Sequence, residues 1–442
     1  MPRMKTLKRP VSNKSLPKES TPAKRRRALS KTENNDVNHK TESETSEVTL
    51  LPIPSVQSGV ILSFGSGDVG QLGLGEDVME KLRPALIPNV EDVIQIEAGG
   101  MHTVCLKNNG EVLSWGCNDE GALGRQGPEA EPGKVNLPEQ AVMISAGDSH
   151  SAALLQDGRV FAWGSFRDAS GNMGLVKVGT IEKTPIEVLP DIFSMKIASG
   201  ADHLVILTKK GQIYTLGCGQ QGQLGRLANR ETSRERRQGI ASSLHPGVVQ
   251  FKHKEVFTDI WAGTYGTFVK NKDKEVWVFG LNNYHQIGLP ILEPYFRPMK
   301  STVFGNEEWI KICSGLHHTL ALNSDGKIFA LGRKEYGRLG LGENCEDAKE
   351  LTPIPKLESK KVVDIACGST TSFAVLDNGE VYSWGMGTGG ALGTGDEEDV
   401  YEPQLIKGKQ LLNRLVYKVT SGGQHTVILA STTQNNNIEP GN

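Results

Sequence analysis

A nine-residue glycine string returns along the whole chain, and a repeat of about fifty residues confines the fold to stacked or closed arrays of one supersecondary unit. The string reads GSGDVGQLG from Gly65, GCNDEGALG from Gly116, GCGQQGQLG from Gly217, GLNNYHQIG from Gly280, GRKEYGRLG from Gly332 and GMGTGGALG from Gly385. A further copy, GSFRDASGNMG from Gly164, is two residues longer. Neighbouring copies start 48 to 63 residues apart.

Before each string stands a strand, a tight turn and a second strand, as in AGGMHTVCLKNNGEVLSWG (98–116) and SGLHHTLALNSDGKIFALG (314–332). The turns Asn109-Gly110, Asp157-Gly158, Asp325-Gly326 and Asn378-Gly379 predict type I′ hairpins, in which both residues take positive φ. In the second strand, the residue four before the glycine is always Val or Ile. The residue one before it is Trp, Phe or Leu, as at Trp115, Trp163 and Leu216. Apolar side chains at adjacent positions mean that both faces of the sheet are covered. Between them a small or β-branched residue recurs (Ser63, Ser114, Ala162, Thr215, Val278, Ala330, Ser383), which suits a place where sheets converge.

The last repeat, SGGQHTVILA from Ser421, ends in a polar tail and lacks its second strand; that strand stands at the other end of the domain as SGVILSFG (58–65). An N-terminal strand that completes the last sheet removes the open edges. The expectation is an all-β, seven-bladed β-propeller over residues 55–432, closed in this way. A disordered basic arm (1–54) precedes it and a disordered tail (433–442) follows.

Composition agrees: 51 Gly in 442 residues supply the turns. The net charge of −2 conceals an asymmetry, because residues 1–31 hold eleven Lys/Arg against one acid, Glu19, and the rest of the chain carries −12. The six Cys form no CxxC pair and sit mostly in strand-like runs, so they read as reduced, intracellular thiols. No apolar run approaches the 18 or so residues of a membrane span, and the basic N-terminus lacks the apolar segment of a secretory signal. The arm lacks periodicity and is rich in Ser, Thr, Asn, Lys and Glu. Its run Lys24, Arg25, Arg26, Arg27 reads as a nuclear import signal, a DNA phosphate contact, or both.

Several motifs have plain explanations. Gly65–Gly70 matches the dinucleotide pattern GxGxxG, but a further glycine turn follows instead of a helix and the match recurs in other repeats. No phosphate-loop motif GxxxxGK[ST] is present, and no cofactor or metal is expected. His102, His150, His203, His318 and His425 share one register; the reading favoured is a hydrogen bond that bridges the turn in each blade, over acid–base or metal work. Asp148, Asp202 and His317 sit beside this register in single blades, and Asp68 and Arg226 stand in glycine strings. These are charges that the repeat itself does not require.

Runs such as GDVGQLGLGE (67–76), CNDEGALGR (117–125), AGDSH (146–150), WGSFRD (163–168), SGADHL (199–204) and GGQHTV (422–427) resemble the regulator of chromosome condensation family, the nuclear guanine nucleotide exchange factors for the Ran GTPase. The likeness covers roughly residues 58–430. It implies a non-covalent exchange factor, not an enzyme in the covalent sense, acting in the nucleus on chromatin. The implied exchange face comprises Asp68, Asp148, Asp202, Arg167, Arg226, His317 and His425. The implied β-wedge, at about 165–173, includes Ser165, Phe166, Arg167, Asp168 and Gly171, whereas Ala169 and Ser170 depart from the family. The longest interval contains RLANRETSRERRQG (226–239); its Arg230, Arg234, Arg236 and Arg237 are either a solvated surface loop or, by resemblance, a contact to the acidic patch of nucleosomal histones. Implied partners are Ran, the nucleosome and its histones, DNA through the arm and an import receptor, with no membrane and a monomeric chain. The alternatives are a non-catalytic propeller scaffold or ubiquitin-pathway adaptor of the same repeats, and an enzyme built on the His register.

Overall fold

Short antiparallel strands with Gly-rich connections leave each sheet small and twisted, so that its apolar faces are buried only when sheets stack around an axis. The computed structural model describes residues 50–232, 239–305 and 307–432 and contains seven four-stranded antiparallel sheets. Blade 1 consists of Val93–Ala98, His102–Lys107, Val112–Gly116 and Gly133–Val135. Blade 2 consists of Ala141–Ala146, His150–Leu155, Val160–Gly164 and Glu182–Glu187, and blade 3 of Ser194–Ser199, His203–Thr208, Ile213–Gly217 and Gly247–Val248. Blades 4, 5 and 6 occupy 257–300, 309–353 and 362–405. Blade 7 joins the two ends of the domain in the order Glu80–Leu86, Val60–Ser66, His425–Ala430, Val416–Ser421. The expected closure is present, with Val60 opposite Ala430 and Gly65 opposite His425. The N-terminal side contributes two strands to it, however, where the sequence reading had one.

The first strand of every blade lines a central channel. There Lys196 pairs with Asp259 at 2.6 Å and Lys311 with Asp364 at 2.7 Å, each pair linking neighbouring blades. The second strands are buried along nearly their whole length, and the outer strands are the exposed ones. Hydrophobic clusters fill the spaces between blades: Ile94, Leu106, Ala153 and Trp163, for example, join blades 1 and 2.

The glycine string is the joint between blades. In blade 1, Ser114 Oγ donates to Leu123 O at 2.7 Å and so holds the string down. Ser63, Thr215 and Ser383 do the same in their blades, so the small recurring residue pins the loop wherever it carries a hydroxyl. The next carbonyl along, Ala122 O, accepts from Trp163 Nε1 (2.7 Å) and Ser151 Oγ (2.9 Å) of blade 2. Gly124 has φ +64°, and a Cβ there would lie 2.6 Å from Trp163 Cδ1, so only glycine lets the loop close on the indole.

The hairpin turns are not type I′. Gly110 has φ +81° while Asn109 keeps negative φ. Lys107 N–H donates to Glu111 O, and Gly110 N–H to Lys107 O. This is a three-residue loop, a type I turn closed by a left-handed glycine. Asn109 is favoured because its Oδ1 accepts the Glu111 N–H at 3.0 Å, and Asp157 and Asn378 do the same in their blades.

The expected arm also ends earlier than residue 54. Leu51 N–H donates to Gln156 O at 2.7 Å, and Leu51 and Ile53 pack against apolar clusters of blades 1 to 3.

Candidate functional site

Antiparallel pairing puts the turn between the first and second strands at the same end of a blade as the glycine string, since His102 lies opposite Gly116 and His203 opposite Gly217. Asp68, Asp148, Asp202 and His317 consequently share one face of the propeller, and the Asn-Gly and Asp-Gly turns occupy the other.

From that face rises a separate two-stranded hairpin, Phe166–Asp168 paired with Gly171–Gly174, inserted between the third and fourth strands of blade 2. The sequence-predicted wedge residues divide by role. Ser165 and Phe166 are buried roots: the Phe166 ring packs 4.6 Å from His150 and joins Met173, Leu175, Leu204, Leu216 and Leu244 in one cluster. Arg167, Ala169 and Ser170 are exposed. At the tip, Ser170 N–H donates to Asp168 Oδ1 at 2.8 Å, and Gly171, at φ +106°, has open space where a Cβ would stand.

Blades on either side grip the hairpin. Arg167 N–H donates to Asp202 Oδ1 of blade 3 at 2.7 Å, and Gln220 of the blade 3 glycine string reaches Asp168 Oδ2 at 3.4 Å. Glu120, in the glycine string of blade 1, receives Ser165 Oγ (2.9 Å), Arg167 Nη1 (2.7 Å) and Asn172 Nδ2 (2.8 Å). The sequence reading missed both Glu120 and Gln220. The signal available was that both places vary from string to string: Val69, Tyr284 or Tyr336 stands at that of Glu120, and Asp68, Asn283 or Glu335 at that of Gln220.

The carboxylates here are unequal. Burial, reinforced by the nearby Asp148 charge and opposed by Arg167, pushes Asp202 up to about 7. Asp148 touches water at the rim, yet the protein packed around it raises its pKa while Arg167 opposes the rise. Its N–H donates to Ala201 O at 2.7 Å, which brings the two acidic turns side by side. Asp68 is exposed, and the Gln71 amide at 3.0 Å holds its carboxyl below the usual range. On the far side of the face, the His317 ring meets Tyr284 at 5.0 Å, and the Arg333 guanidinium lies 4.6 Å from the same tyrosine ring. Desolvation and the cations Arg338 and Arg333 lower the His317 pKa.

Two expected face residues are placed otherwise. His425 is fully buried, with Nε2 2.8 Å from Thr103 Oγ1. It belongs to the repeated register, in which His102 meets Ser151, His150 meets Ser199, His203 meets Thr267 and His318 meets Ser372. Each bond joins one blade to the next, not the two sides of one turn as expected, and His425 to Thr103 spans the seam between blades 7 and 1. Several of these hydroxyls also donate to a glycine-string carbonyl, as Thr103 does to Gln71 O, so the imidazole Nε2 must be the donor. Burial drives these rings down to about 3, or about 4 for His102, and they are neutral struts.

Arg226 is likewise a fastener. Its Nη2 donates to the carbonyls of Ser242, Ser243 and His245, and its Nε to Thr215 O. It thereby ties the end of the short helix Gly239–Leu244 to blade 3. Arg125, in the same register, holds Ser114, Pro128 and Glu131 carbonyls. Arg230 lies exposed in the helical turn Asn229–Thr232. Arg234, Arg236, Arg237, Lys24, Arg25, Arg26 and Arg27 lie outside the described residues, as does the expected tail. Among the described residues no group of three His, Cys, Asp or Glu side chains is placed to hold a metal ion, and no helix is long and apolar enough to cross a membrane.

A closed ring of seven blades, with one face carrying an inserted hairpin and side chains that differ from blade to blade, defines a β-propeller with one distinctive face. The chain belongs to the RCC1-like domain family, which matches residues 60–428. It is similar to the regulator of chromosome condensation of Xenopus laevis, 47% identical over 414 residues that cover 91% of this chain and 97% of that protein. It is also 30% identical over 433 residues to the guanine nucleotide exchange factor SRM1 of Saccharomyces cerevisiae, covering 84% and 87% of the two chains. The crystal structure of yeast Prp20p, whose binding to Gsp1p and histones has been described, superposes with a TM-score of 0.78 at 30% identity, covering 88% of this chain and 94% of that one. The same yeast protein in complex with Kap60 gives 0.78 at 29% identity, covering 93% and 97%.

Proposed function

We propose that this chain promotes guanine nucleotide exchange on the Ran GTPase while bound to chromatin, with the hairpin of blade 2 as the displacing element. The observation that carries the reading is the hairpin itself, the one two-stranded insertion among the described residues, braced by both neighbours on the face that holds Asp148 and Asp202. The naming of SRM1 as an exchange factor and the reported binding of Prp20p to Gsp1p support it.

A GTPase grips its nucleotide with phosphate-loop amides, a lysine and Mg²⁺. A rigid finger that occupies the space of those elements binds the nucleotide-free form more tightly than the loaded form. Linkage then requires that the bound factor weakens nucleotide affinity by the same factor. Release is accelerated for GDP and GTP alike, and the cellular excess of GTP sets the direction. No bond of the nucleotide is broken. Arg167, Asp168, Asp148 and Asp202 form the working edge with Asp68 and His317 around the rim; Arg226 and His425 hold the scaffold. Chromatin attachment falls to the basic arm, which also serves an import receptor, and to the Arg-rich insertion with Arg230; the histone binding of Prp20p and its complex with Kap60 favour this division.

The test is release of labelled GDP from purified Ran, with and without the chain. Acceleration that falls in Arg167→Ala and Asp148→Ala supports the reading. A rate unchanged by the chain overturns it in favour of a scaffold.

A further inference from the structure

The hairpin is small, its tip is exposed, and an isolated two-stranded ribbon is marginal in water. Something outside it must fix its direction. Its apolar root, Phe166 and Met173, secures the base, and the direction of the polar arms depends on the blades on either side. The side-chain contacts that reach those arms from blade 1 converge on one carboxylate. Glu120 Oε1 takes Arg167 Nη1 from the first arm, and Oε2 takes both Ser165 Oγ from the root and Asn172 Nδ2 from the second arm.

We propose that Glu120 is the positioning residue of the wedge: the carboxylate that locks both hairpin arms to blade 1 and thereby sets the angle at which the finger meets the GTPase. The proposal rests on the reading that the hairpin acts on that partner, and adds a residue which nothing in the repeat explains.

Three observations converge on it. The glycine string leans on the following blade, since Ala122 O accepts from Trp163 and Gly121 abuts Ile181 and Lys183 on the outer side of blade 2. The string ahead of the hairpin is therefore the one that can brace it. Within the other nine-residue strings the Glu120 position is Val69, Gln221, Tyr284, Tyr336 or Gly389, so among strings of that length an acid occurs there only in front of the inserted blade. Finally, the Glu120 side chain is only 18% exposed, against 46% for Arg167. A planar carboxylate accepting a guanidinium on one oxygen and two neutral donors on the other fixes direction as well as distance.

One consequence concerns Arg167. While its Nη1 is held by Glu120 and its N–H by Asp202, the residue orients the finger between blades 1 and 3. Its variants therefore report wedge geometry as well as contact.

The experiment combines two readouts on the full-length chain: amide hydrogen exchange across residues 166–174, and steady-state GDP release from Ran. The variants are Glu120→Ala, Glu120→Gln and a chain whose residues 167–172 are replaced by two glycines. The carboxamide of Gln keeps one acceptor oxygen but not the charge. The expected result is faster amide exchange in the hairpin for Ala, with Gln intermediate and the thermal midpoint of the propeller unchanged. GDP release should lose roughly tenfold to a hundredfold in kcat for Ala, the scale of an ångström-sized misplacement, with a smaller change in KM and partial rescue by Gln. Hairpin protection that survives Glu120→Ala overturns the proposal. Protection lost with release unchanged, while the two-glycine chain is inactive, also overturns it, because the finger then works unbraced. A two-glycine chain that still releases GDP at the full rate overturns the wedge reading itself, whatever Glu120 does.

Discussion

The backbone N–H of Arg167 lies 2.7 Å from Asp202 Oδ1, so a hairpin that grows from blade 2 hangs on a carboxylate of blade 3. That carboxylate lies beside the Asp148 turn and is pushed up to about 7 by burial and by the Asp148 charge. The Arg167 N–H that holds the finger favours the ionised carboxylate, while burial and the Asp148 charge work against it.

The first prediction follows from that conflict. A folded chain that keeps its Asp202 proton up to about pH 7, while the unfolded chain loses it near pH 4, becomes less stable as pH rises between those values and changes no further above them. Asp202→Asn retains an acceptor for the Arg167 N–H and has nothing to ionise. Urea titrations at pH 5 and pH 8 should show the Asn variant gaining about 1–3 kcal/mol on the parent over that interval. An equal pH dependence in both chains would contradict the assignment.

The histidine struts predict the opposite slope. Rings lowered to about 3 stay neutral in the folded chain, while unfolded histidine takes up a proton near pH 6.5. Their contribution is complete above that pH and is lost as pH falls from there toward 3. Each contributes ~1.4 kcal/mol per pH unit inside the window. His203→Gln should therefore lower stability at pH 7.5 and reduce the acid slope by one proton. An undiminished slope in the variant would rule out a neutral strut.

Closure of blade 7 makes a structural prediction. A chain that begins after Ser66 loses the partner of His425–Ala430 and exposes a buried strand edge, which templates pairing between chains. Light scattering should show self-association and circular dichroism a broadened melt. A soluble, sharply melting monomer would contradict the pairing.

Arg226 separates scaffold from contact. With its guanidinium on the carbonyls of Ser242, Ser243 and His245, Arg226→Ala should free the insertion, at a local cost of about 1–3 kcal/mol. Limited proteolysis should then cleave within 227–246 at lower protease concentration. If cleavage is unchanged, the side chain is not the fastener of this segment.

Much of this architecture can be read in advance because it is periodic. The repeat length, the number of blades, the terminal closure and the position of the hairpin at the one overlong glycine string are all local or recurring features of the chain. The histidine register does recur as a hydrogen bond, but from one blade to the next and not across one turn as expected. Contacts between blades escaped the reading. Glu120 and Arg167 are 47 positions apart, and no hydrophobic pattern or turn chemistry records that a loop tip leans on its neighbour. Arg226 was misplaced for a related reason: a charge in a glycine string looks exposed until the helix whose carbonyls it collects is in view. The turns misled because Asn-Gly serves both a two-residue and a three-residue loop, and only the ladder shows which one the strands have adopted.

The central claim is that one finger on this face loosens a GTPase's hold on its nucleotide. The most direct measurement compares labelled-GDP release from Ran driven by the intact chain and by the chain with residues 167–172 replaced by two glycines. Binding to nucleotide-free Ran serves as the control for a folded face. The account predicts that the replacement lowers the release rate by roughly a hundredfold, the upper range of typical coupling between sites. A replaced chain that releases GDP as fast as the intact one would contradict it.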